Sequence, residues 1–375
     1  MSGSSSNRVV VHVLDYGAGN IRSIRNAIRA AGFDVVDVRT ATDIEEARVL
    51  VFPGVGSFGS AMRSLHESGH AGPLAAYVRA GRPFMGVCLG MQTLFEGSEE
   101  SPGVPGLGII PGIVARFPDA VVSVPHIGWN GITVHTTAPP LCQVPPSSRV
   151  YFVHSYRALP STKNADWVAA TASYGPDGDF IAAVQRGAVF ATQFHPEKSG
   201  ALGIDIFKAF LAAAFATSAS SGGVKPLRTA SPLRLDGRAG IGALGAEGVT
   251  PLARRIVACL DVRENDDGDL VVTKGDGYDV RERRAGDVTA VSAGGVVRNL
   301  GKPVDLCARY YDEGADEIAL LNITAFRGEP LGDAPLLRVL EAASERVFVP
   351  LTVCGAWTVS NAVCEKKALS RIAAC

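Results

Sequence analysis

Residues 84–95 read FMGVCLGMQTLF and set a cysteine between two glycines directly after an apolar run. The spacing Gly86-x-Cys88-x-Gly90 is typical of the strand–turn–helix elbow that presents a nucleophile, with cysteine in place of serine. The turn needs small neighbours, because a Cβ at either glycine would collide with the adjoining strand or helix. A helix start favours a negatively charged side chain, so the pattern predicts a nucleophilic thiolate at Cys88. A cysteine without this setting is more often a buried apolar residue.

Strand-like and helix-like segments alternate around this elbow. Before it, VVVHVLDY is β-rich, IRSIRNAIRAAGF carries isoleucines at a helical spacing up to Gly32, and VLVFPG is again β-rich. After it, shorter β-rich pieces run from Arg116 to Gly187, and IDIFKAFLAAAFA is predicted as a helix. The alternation predicts an α/β fold with an open, mostly parallel sheet and covering helices.

A histidine and a carboxylate follow the segment VFATQF, which is predicted as a strand. His195 and Glu197 stand on either side of a proline, so the two side chains leave the strand end in one defined relation. A nucleophilic thiol needs a base, and the base needs an orienting partner, which makes these two residues the candidates. Without Cys88, a structural role for His195 would be equally favoured. His66 and His70 lie in a polar stretch and are expected to be solvated.

The loop PGVGS, residues 53–57, follows the strand VLVF and contains Gly54 and Gly56. Its backbone N–H groups could point at an oxygen that becomes negative during attack by the thiolate. Taken alone, the loop is better explained as a plain glycine-rich turn.

The C-terminal part of the chain starts a second α/β pattern. Residues 217–253 are rich in Ser, Gly, Ala and Pro without a sustained apolar period, which predicts a linker. RRIVACLDV then reads as an apolar strand that ends in Asp261, and two helix-to-strand units follow. These units fit a doubly wound sheet or the start of a (β/α)8 barrel, and the sequence period does not separate the two.

Composition limits the classes of ligand and of location. The 36 basic and 37 acidic residues nearly cancel, so a small molecule is favoured over nucleic acid or an anionic membrane. We find no apolar run long enough for a membrane span, and the start MSGSSSNR lacks the apolar core of a secretory signal. Seven scattered cysteines suit a reducing compartment, and the spacing of those near the C-terminus matches no compact zinc pattern.

The motifs together carry a family resemblance. GVCLGMQ, HPEKSG and PGVGSF resemble class I glutamine amidotransferases, and DYGAGNIRS, PHIGWN and YFVHSYR narrow this to the glutaminase part of imidazole glycerol phosphate synthases. RRIVACLDV, VVTKGD, GADEIALLNIT and VFVPLTV look like the cyclase part. The order in one chain is similar to the bifunctional form of fungi and plants, and the resemblance covers nearly everything from Val9 to Val353.

This resemblance implies a reaction and its residues. Cys88 would attack the amide of glutamine, with His195 passing protons and Glu197 orienting the imidazole. Gln92 and the loop with Gly54 and Gly56 would line the glutamine pocket, and residues 126–129 and 151–156 would lie near the substrate or a docking face.

The ammonia released would pass to the cyclase part. It would react in a (β/α)8 barrel with phosphoribulosyl formimino aminoimidazole carboxamide ribotide. Asp261 would be an acid/base of that ring closure, and Lys274 would lie near the ammonia entrance or the substrate phosphate. The reaction calls for no cofactor or metal.

The resemblance divides the chain into a disordered N-terminus (1–8), a glutaminase domain (9–216), a linker (217–253), a truncated cyclase fragment (254–353) and an unrelated tail (354–375). We expect such a fragment to lack cyclase activity and to leave glutamine hydrolysis slow and unstimulated. An intact protein would be monomeric, whereas the fragment would associate through the open edge of its incomplete barrel. The expected compartment is the cytoplasm or the plastid stroma. Alternatives are another glutamine-dependent synthase subunit and a catalytically silent regulatory product.

Overall fold

The computed structural model describes residues 9–17, 20–175, 178–219, 255–264, 269–273, 300–322 and 335–354. The chain divides into two units, Met1–Ala253 and Arg254–Cys375. Lys274, the N-terminal residues 1–8, residues 220–253 of the predicted linker and residues 355–375 of the predicted tail lie outside the described residues.

The first unit alternates strands and helices along its N-terminal half and is rich in strands after that. Its strands are β1 (Val10–Val13), β2 (Asp34–Asp37), β3 (Leu50–Gly54), β4 (Phe84–Cys88), β5 (Phe95–Ser98), β6 (Ile110–Arg116), β7 (His126–Gly131), β8 (Thr133–Val134), β9 (Arg149–His154), β10 (Tyr156–Ala158), β11 (Val168–Ser173), β12 (Asp179–Arg186) and β13 (Val189–Thr192). Its helices are α1 (Ile21–Ala30), α2 (Ala41–Glu46), α3 (Phe58–Glu67), α4 (Ala71–Arg79), α5 (Leu89–Gln92) and α6 (Gly200–Ala219), with a 3-10 turn at Pro196–Lys198.

One sheet organises this unit. Among the described residues it has eight strands in the order β2-β1-β3-β4-β13-β12-β11-β8. The strands from β2 to β13 run parallel, and β12, β11 and β8 continue the sheet in antiparallel pairs. Strands β10, β6 and β5 form a smaller sheet, and β7 pairs with β9. The predicted α/β fold with an open, mostly parallel sheet is confirmed.

Apolar faces position the helices on this sheet. Ile21, Ile24 and Ile28 of α1 are buried, as their helical spacing predicts, and the chain leaves the helix through Gly32 at a φ of 96°. His66 is exposed as expected, whereas the expectation for His70 was wrong. His70 is buried because the chain folds back between α3 and α4, and its carbonyl accepts the first hydrogen bond of α4.

Helix α6 is the long apolar helix that the sequence predicts. Phe207, Phe210 and Leu211 are buried, and Phe210 stacks on Phe190 of β13. Lys208 stays exposed and interrupts the apolar run. In the part of the chain that the structure describes, neither α6 nor any other helix has the length and apolarity that crossing a membrane requires.

The second unit is a smaller α/β arrangement. It contains the strands β14 (Val257–Glu264), β15 (Leu270–Thr273), β16 (Glu317–Asn322) and β17 (Leu351–Cys354) and the helices α7 (Pro303–Asp312) and α8 (Pro335–Ala343). Strands β14, β16 and β17 are parallel neighbours, and β15 lies antiparallel on the outer side of β14. The two strand–helix–strand connections are consistent with the start of a barrel, and closure into a barrel stays a prediction.

Strand β14 is longer than the sequence predicts. It continues to Glu264, because residues 261–264 pair with β15 in a hairpin. Asp261 therefore lies inside the strand, opposite Thr273, rather than at its end.

Candidate active site

Cys88 ends β4 in a strained turn. Its backbone has a φ of 52° and a ψ of −104°, which few residues other than glycine adopt. A Cβ on Gly86 would lie 2.8 Å from the carbonyl oxygen of Gly90, and a Cβ on Gly90 would overlap the carbonyl of Phe52. The two glycines are therefore required for the same reason that the sequence pattern indicated, namely the close approach of three backbone segments.

The helix after the elbow is short. Helix α5 comprises only Leu89–Gln92, which is one turn. Few peptide dipoles are aligned at Cys88, so the helix gives a negative sulfur little support. Side chains around the sulfur must provide the remaining stabilisation of its negative charge.

His195 is held next to the elbow by its backbone. Strand β13 ends at Thr192, two residues earlier than predicted, and the chain then turns. The His195 N–H donates to the carbonyl of Tyr151 at 2.8 Å, and the Ser199 hydroxyl donates to the His195 carbonyl at 2.6 Å. These bonds to neighbouring segments fix the direction in which the imidazole leaves the chain.

The imidazole and the carboxylate form a buried pair. Nδ1 of His195 donates to Oε1 of Glu197 at 2.6 Å, since the carboxylate can only accept. Both side chains are at most 1% exposed. Nε2 of His195 is buried without a hydrogen-bond partner among the described residues, and the imidazole is near enough to Cys88 for the two groups to interact electrostatically.

Charge in this pair depends on the partners. Burial opposes the charged imidazole, but the Glu197 carboxylate and the Cys88 sulfur outweigh it and raise the pKa of His195. Burial also opposes the charged carboxylate, but His195 and hydrogen bonds outweigh it and lower the pKa of Glu197. The pair is thus set up as imidazolium and carboxylate beside the thiol.

Asn20 supports the carboxylate from the start of α1. Its Nδ2 donates to Oε1 of Glu197, and the Asn20 side chain is buried. The residue has a left-handed backbone with a φ of 71°, which asparagine tolerates better than most residues. Sequence reasoning did not identify Asn20, because the contact joins residues 177 positions apart.

A pocket of about 330 Å³ opens over Cys88 and His195. Gly56 and Gln92, both predicted, line it, whereas Gly54 supports it from behind, paired with Cys88. The rest of the lining consists of Val55, Leu89, Glu100, Pro125, Val153, His154, Ser155 and Tyr156.

Two residues of the site besides Asn20 were missed by sequence reasoning. Glu100 adds a carboxylate to the pocket wall, and its Oε2 accepts the N–H of Phe58 at 2.7 Å. Gln193 is fully buried, and its Nε2 lies 3.5 Å from the sulfur of Cys88. Its position two residues before His195 was a usable signal, because residues at that spacing in extended chain share a face.

A second group of histidines lies behind the pocket wall. His126 and His154 are buried among aromatic rings, and Nδ1 of His126 lies 3.2 Å from Nε2 of His154. Burial lowers the pKa of His126 to about 4 and that of His154 well below its usual range. His154 reaches the pocket, whereas His126 stacks on Tyr174 and does not line it.

The remaining predicted site residues belong to the second unit. Asp261 is half-buried in β14, and Lys274 lies outside the described residues. In the first unit, a larger groove of about 690 Å³ between α6 and residues 140–148 is lined by no cysteine and no histidine among the described residues. We therefore place the candidate site at Cys88 and not at the larger groove.

Known proteins match both parts of the chain. Residues 12–214 match the family model described as glutamine amidotransferase class-I. The chloroplastic imidazole glycerol phosphate synthase of Arabidopsis thaliana is 50% identical over 353 residues, which cover 94% of this chain and 54% of that protein. The corresponding protein of Emericella nidulans is 48% identical and matches 92% of this chain and 59% of its own length.

A separate subunit matches the first unit alone. The imidazole glycerol phosphate synthase subunit HisH of Geobacter sulfurreducens is 40% identical over 206 residues, which cover 53% of this chain and 97% of that subunit. The chain thus spans little more than half the length of the first two relatives and nearly all of the third.

Proposed function

Since the chain belongs to the class-I glutamine amidotransferase family, we propose that it hydrolyses glutamine to glutamate and ammonia at Cys88. The observation that carries the proposal is the buried pair of His195 and Glu197 beside a thiol on a strained elbow. Such a line of nucleophile, base and orienting carboxylate is suited to acyl transfer.

The pocket suits a small polar amino acid. Its volume of about 330 Å³ is at the lower end of ligand pockets. The Glu100 carboxylate can hold the α-ammonium group of glutamine, and Gln92 offers an amide for the polar end of the substrate. The γ-amide would then point to Cys88.

The first step is formation of a thioester. The thiolate of Cys88 attacks the side-chain carboxamide carbon of glutamine, the C–N bond at that carbon breaks, and Nε2 of His195 gives its proton to the departing ammonia. Glu197 stabilises the imidazolium before the transfer. Backbone N–H groups of the loop at Gly56 and of Leu89 are the candidate donors to the oxyanion.

The second step is hydrolysis. His195, now neutral, takes a proton from water, whose oxygen attacks the thioester carbon. The C–S bond breaks, glutamate leaves, and the sulfur returns as a thiolate beside the imidazolium. The proton balance is closed without any other group.

The test is glutaminase kinetics of the whole chain with Cys88→Ala. We expect loss of glutamate formation to background, because the nucleophile is absent. Cys142→Ser, a change at an exposed cysteine, is the control and should keep the wild-type rate. Full activity of Cys88→Ala, or no glutamine hydrolysis by the wild type, would contradict the proposal and favour a catalytically silent protein.

The relatives are named imidazole glycerol phosphate synthases, and we propose that the ammonia serves the synthesis of this product. The ammonia would be used in a cyclase part for ring closure of phosphoribulosyl formimino aminoimidazole carboxamide ribotide, with Asp261 as an acid/base and Lys274 on the phosphate side. Product analysis with glutamine and this nucleotide tests the proposal, and formation of no imidazole product would reject it. The likeness to a chloroplastic relative favours the plastid stroma, with the cytoplasm as the alternative.

A further inference from the structure

A chain of hydrogen bonds ends on the sulfur of Cys88. Nε2 of Gln92 donates to the carbonyl of Tyr156 at 3.1 Å and to Oε1 of Gln193 at 3.0 Å. Nε2 of Gln193 then lies 3.5 Å from the sulfur, within hydrogen-bond distance for this element. The chain therefore joins the pocket wall at Tyr156 to the nucleophile through two amides.

The direction of this chain is fixed by its first acceptor. The carbonyl of Tyr156 can only accept, so Gln92 must present its Nε2 to it. That same Nε2 faces Gln193, so Gln193 must present its Oε1 to Gln92 and its Nε2 to the sulfur. The carbonyl also accepts from Nδ1 of His154 at 2.8 Å, which occupies its second lone pair.

We infer that Gln193 is a further active-site residue, whose side-chain amide donates to the sulfur of Cys88 and stabilises it as a thiolate. The inference deepens the proposed function and rests on it for its catalytic meaning. Helix α5 has only one turn and contributes little, so the sulfur depends on donors from side chains. Gln193 is such a donor at hydrogen-bond distance from the sulfur, and the imidazole of His195 lies near it.

The role differs from that of a buried structural glutamine. A hydrogen bond to a charged acceptor is stronger than one to a neutral acceptor, so the contact favours the ionised sulfur over the thiol. It also favours the moment in thioester hydrolysis at which the C–S bond breaks and the sulfur leaves with the electron pair. Gln193 would therefore act on both steps without exchanging a proton.

The experiment measures alkylation of Cys88 by iodoacetamide in the whole chain, with peptide mapping by mass spectrometry. Gln193→Met keeps the length of the side chain and removes the donor. Cys142, which is exposed, serves as an internal reference in the same molecule. Gln185→Met is the matched control, because Gln185 is also buried in the neighbouring strand but donates to Pro139.

For Gln193→Met we expect alkylation at pH 7 to slow about fivefold to tenfold, since thiolate is lost but the remaining thiolate is more nucleophilic. At about pH 9.5 the difference should close or reverse, because a high pH favours the thiolate without help from the donor. The other titratable groups at the sulfur, His195 with its partner Glu197 and Tyr16, are unchanged by the substitution. At either pH, Gln185→Met should leave the alkylation rate of Cys88 at the wild-type value, and the alkylation rate of Cys142 should be the same in all variants.

A wild-type rate at pH 7, or slowing by the same factor at both pH values, would overturn the inference, since a structural defect acts at every pH. Gln193→Glu is the second variant, should the methionine variant fail to fold. It keeps an acceptor for Gln92 and places a carboxylate at the sulfur, so alkylation at pH 7 should slow further, and an equal or faster rate would overturn the inference. If the wild type hydrolyses no glutamine but Gln193→Met still slows alkylation at pH 7, the proposed function fails and this inference stands.

Discussion

Two buried histidine sites of the first unit have opposite charge preferences. His195 is fully buried beside Glu197, and its pKa is raised. His126 and His154 are also buried, yet their pKa values are lowered. The Glu197 carboxylate and, after it, the Cys88 sulfur make the difference, because burial alone favours the neutral ring in all three cases.

The neutral pair has a defined tautomer. Nδ1 of His154 donates to the carbonyl of Tyr156, so its Nε2 accepts from Nδ1 of His126. The neutral rings of His126 and His154 form hydrogen bonds with a defined direction. The charged ring of His195 can instead donate a proton and stabilise a nearby negative charge. The neutral histidines lie behind the pocket wall, and the charged histidine lies next to the nucleophile.

The largest effect should come from making His195 resemble the other pair. Glu197→Gln removes the carboxylate, so burial should dominate and the imidazole should become neutral and poorly oriented. We expect kcat for glutamine hydrolysis to fall on the order of a thousandfold with KM little changed. Steady-state kinetics at pH 7 measures this, and Glu99→Gln, an exposed carboxylate that accepts from Arg116, is the control. A fall in kcat of less than tenfold would mean that Glu197 does not set the charge of His195, and the contrast with His126 and His154 would have another cause.

The free energy of unfolding of the first unit should fall in acid because His126 and His154 are held neutral in the folded state. The pKa of His126 is about 4 when folded against an ordinary value of 6.5, so the unfolded chain binds the proton first as pH falls. The stabilising contribution is present above pH 6.5 and is lost toward pH 4. We expect a loss of about 2 kcal/mol from His126 between pH 7 and pH 4.5. His195 does not mask this, because its raised pKa affects stability only as pH rises above 6.5.

His126→Phe sharpens the same measurement. The phenyl ring can keep the stacking on Tyr174 but cannot titrate. Urea unfolding at pH 7 and pH 4.5 should therefore show a smaller difference in unfolding free energy than in the wild type. An unchanged difference would mean that His126 is not held neutral.

The smallest effect on kcat should come from a variant that keeps the Glu197 carboxylate but removes a hydrogen bond that holds it in place. Asn20→Ala deletes the donor to Glu197 and should lower kcat about tenfold, since a hydrogen bond to a charged group is lost. Asn164→Ala, which also deletes buried amide bonds but away from the pocket, should lower the melting temperature and leave kcat unchanged. Equal effects of the two variants on kcat would reduce Asn20 to a structural role.

Local patterns in the sequence predicted the parts of the fold that depend on local chemistry. The elbow followed from the spacing of Gly86 and Gly90, and helix α1 followed from its isoleucines. The short helix α5 and the buried His70 were not predicted, because each depends on how a neighbouring segment packs. The extension of β14 past Asp261 has the same origin, since pairing with β15 sets its end.

The site was predicted only where its residues are close to a motif. His195 and Glu197 stand together in the chain, and their contact followed from that. Asn20 and Gln193 reach the site from 177 and 105 positions away from their partners, and only Gln193 had a local signal, its spacing from His195. For Asp261 and Lys274 the roles stay predictions.

The strained backbone of Cys88 bears on whether this chain has kept its chemistry. A residue at a φ of 52° and a ψ of −104° costs about 1–3 kcal/mol, and glycine would relieve most of it. In a lineage that no longer needed the thiol, mutation toward glycine would be rewarded by a more stable protein. Cysteine at such a position is therefore better explained by its reactivity than by a contribution to the stability of the fold.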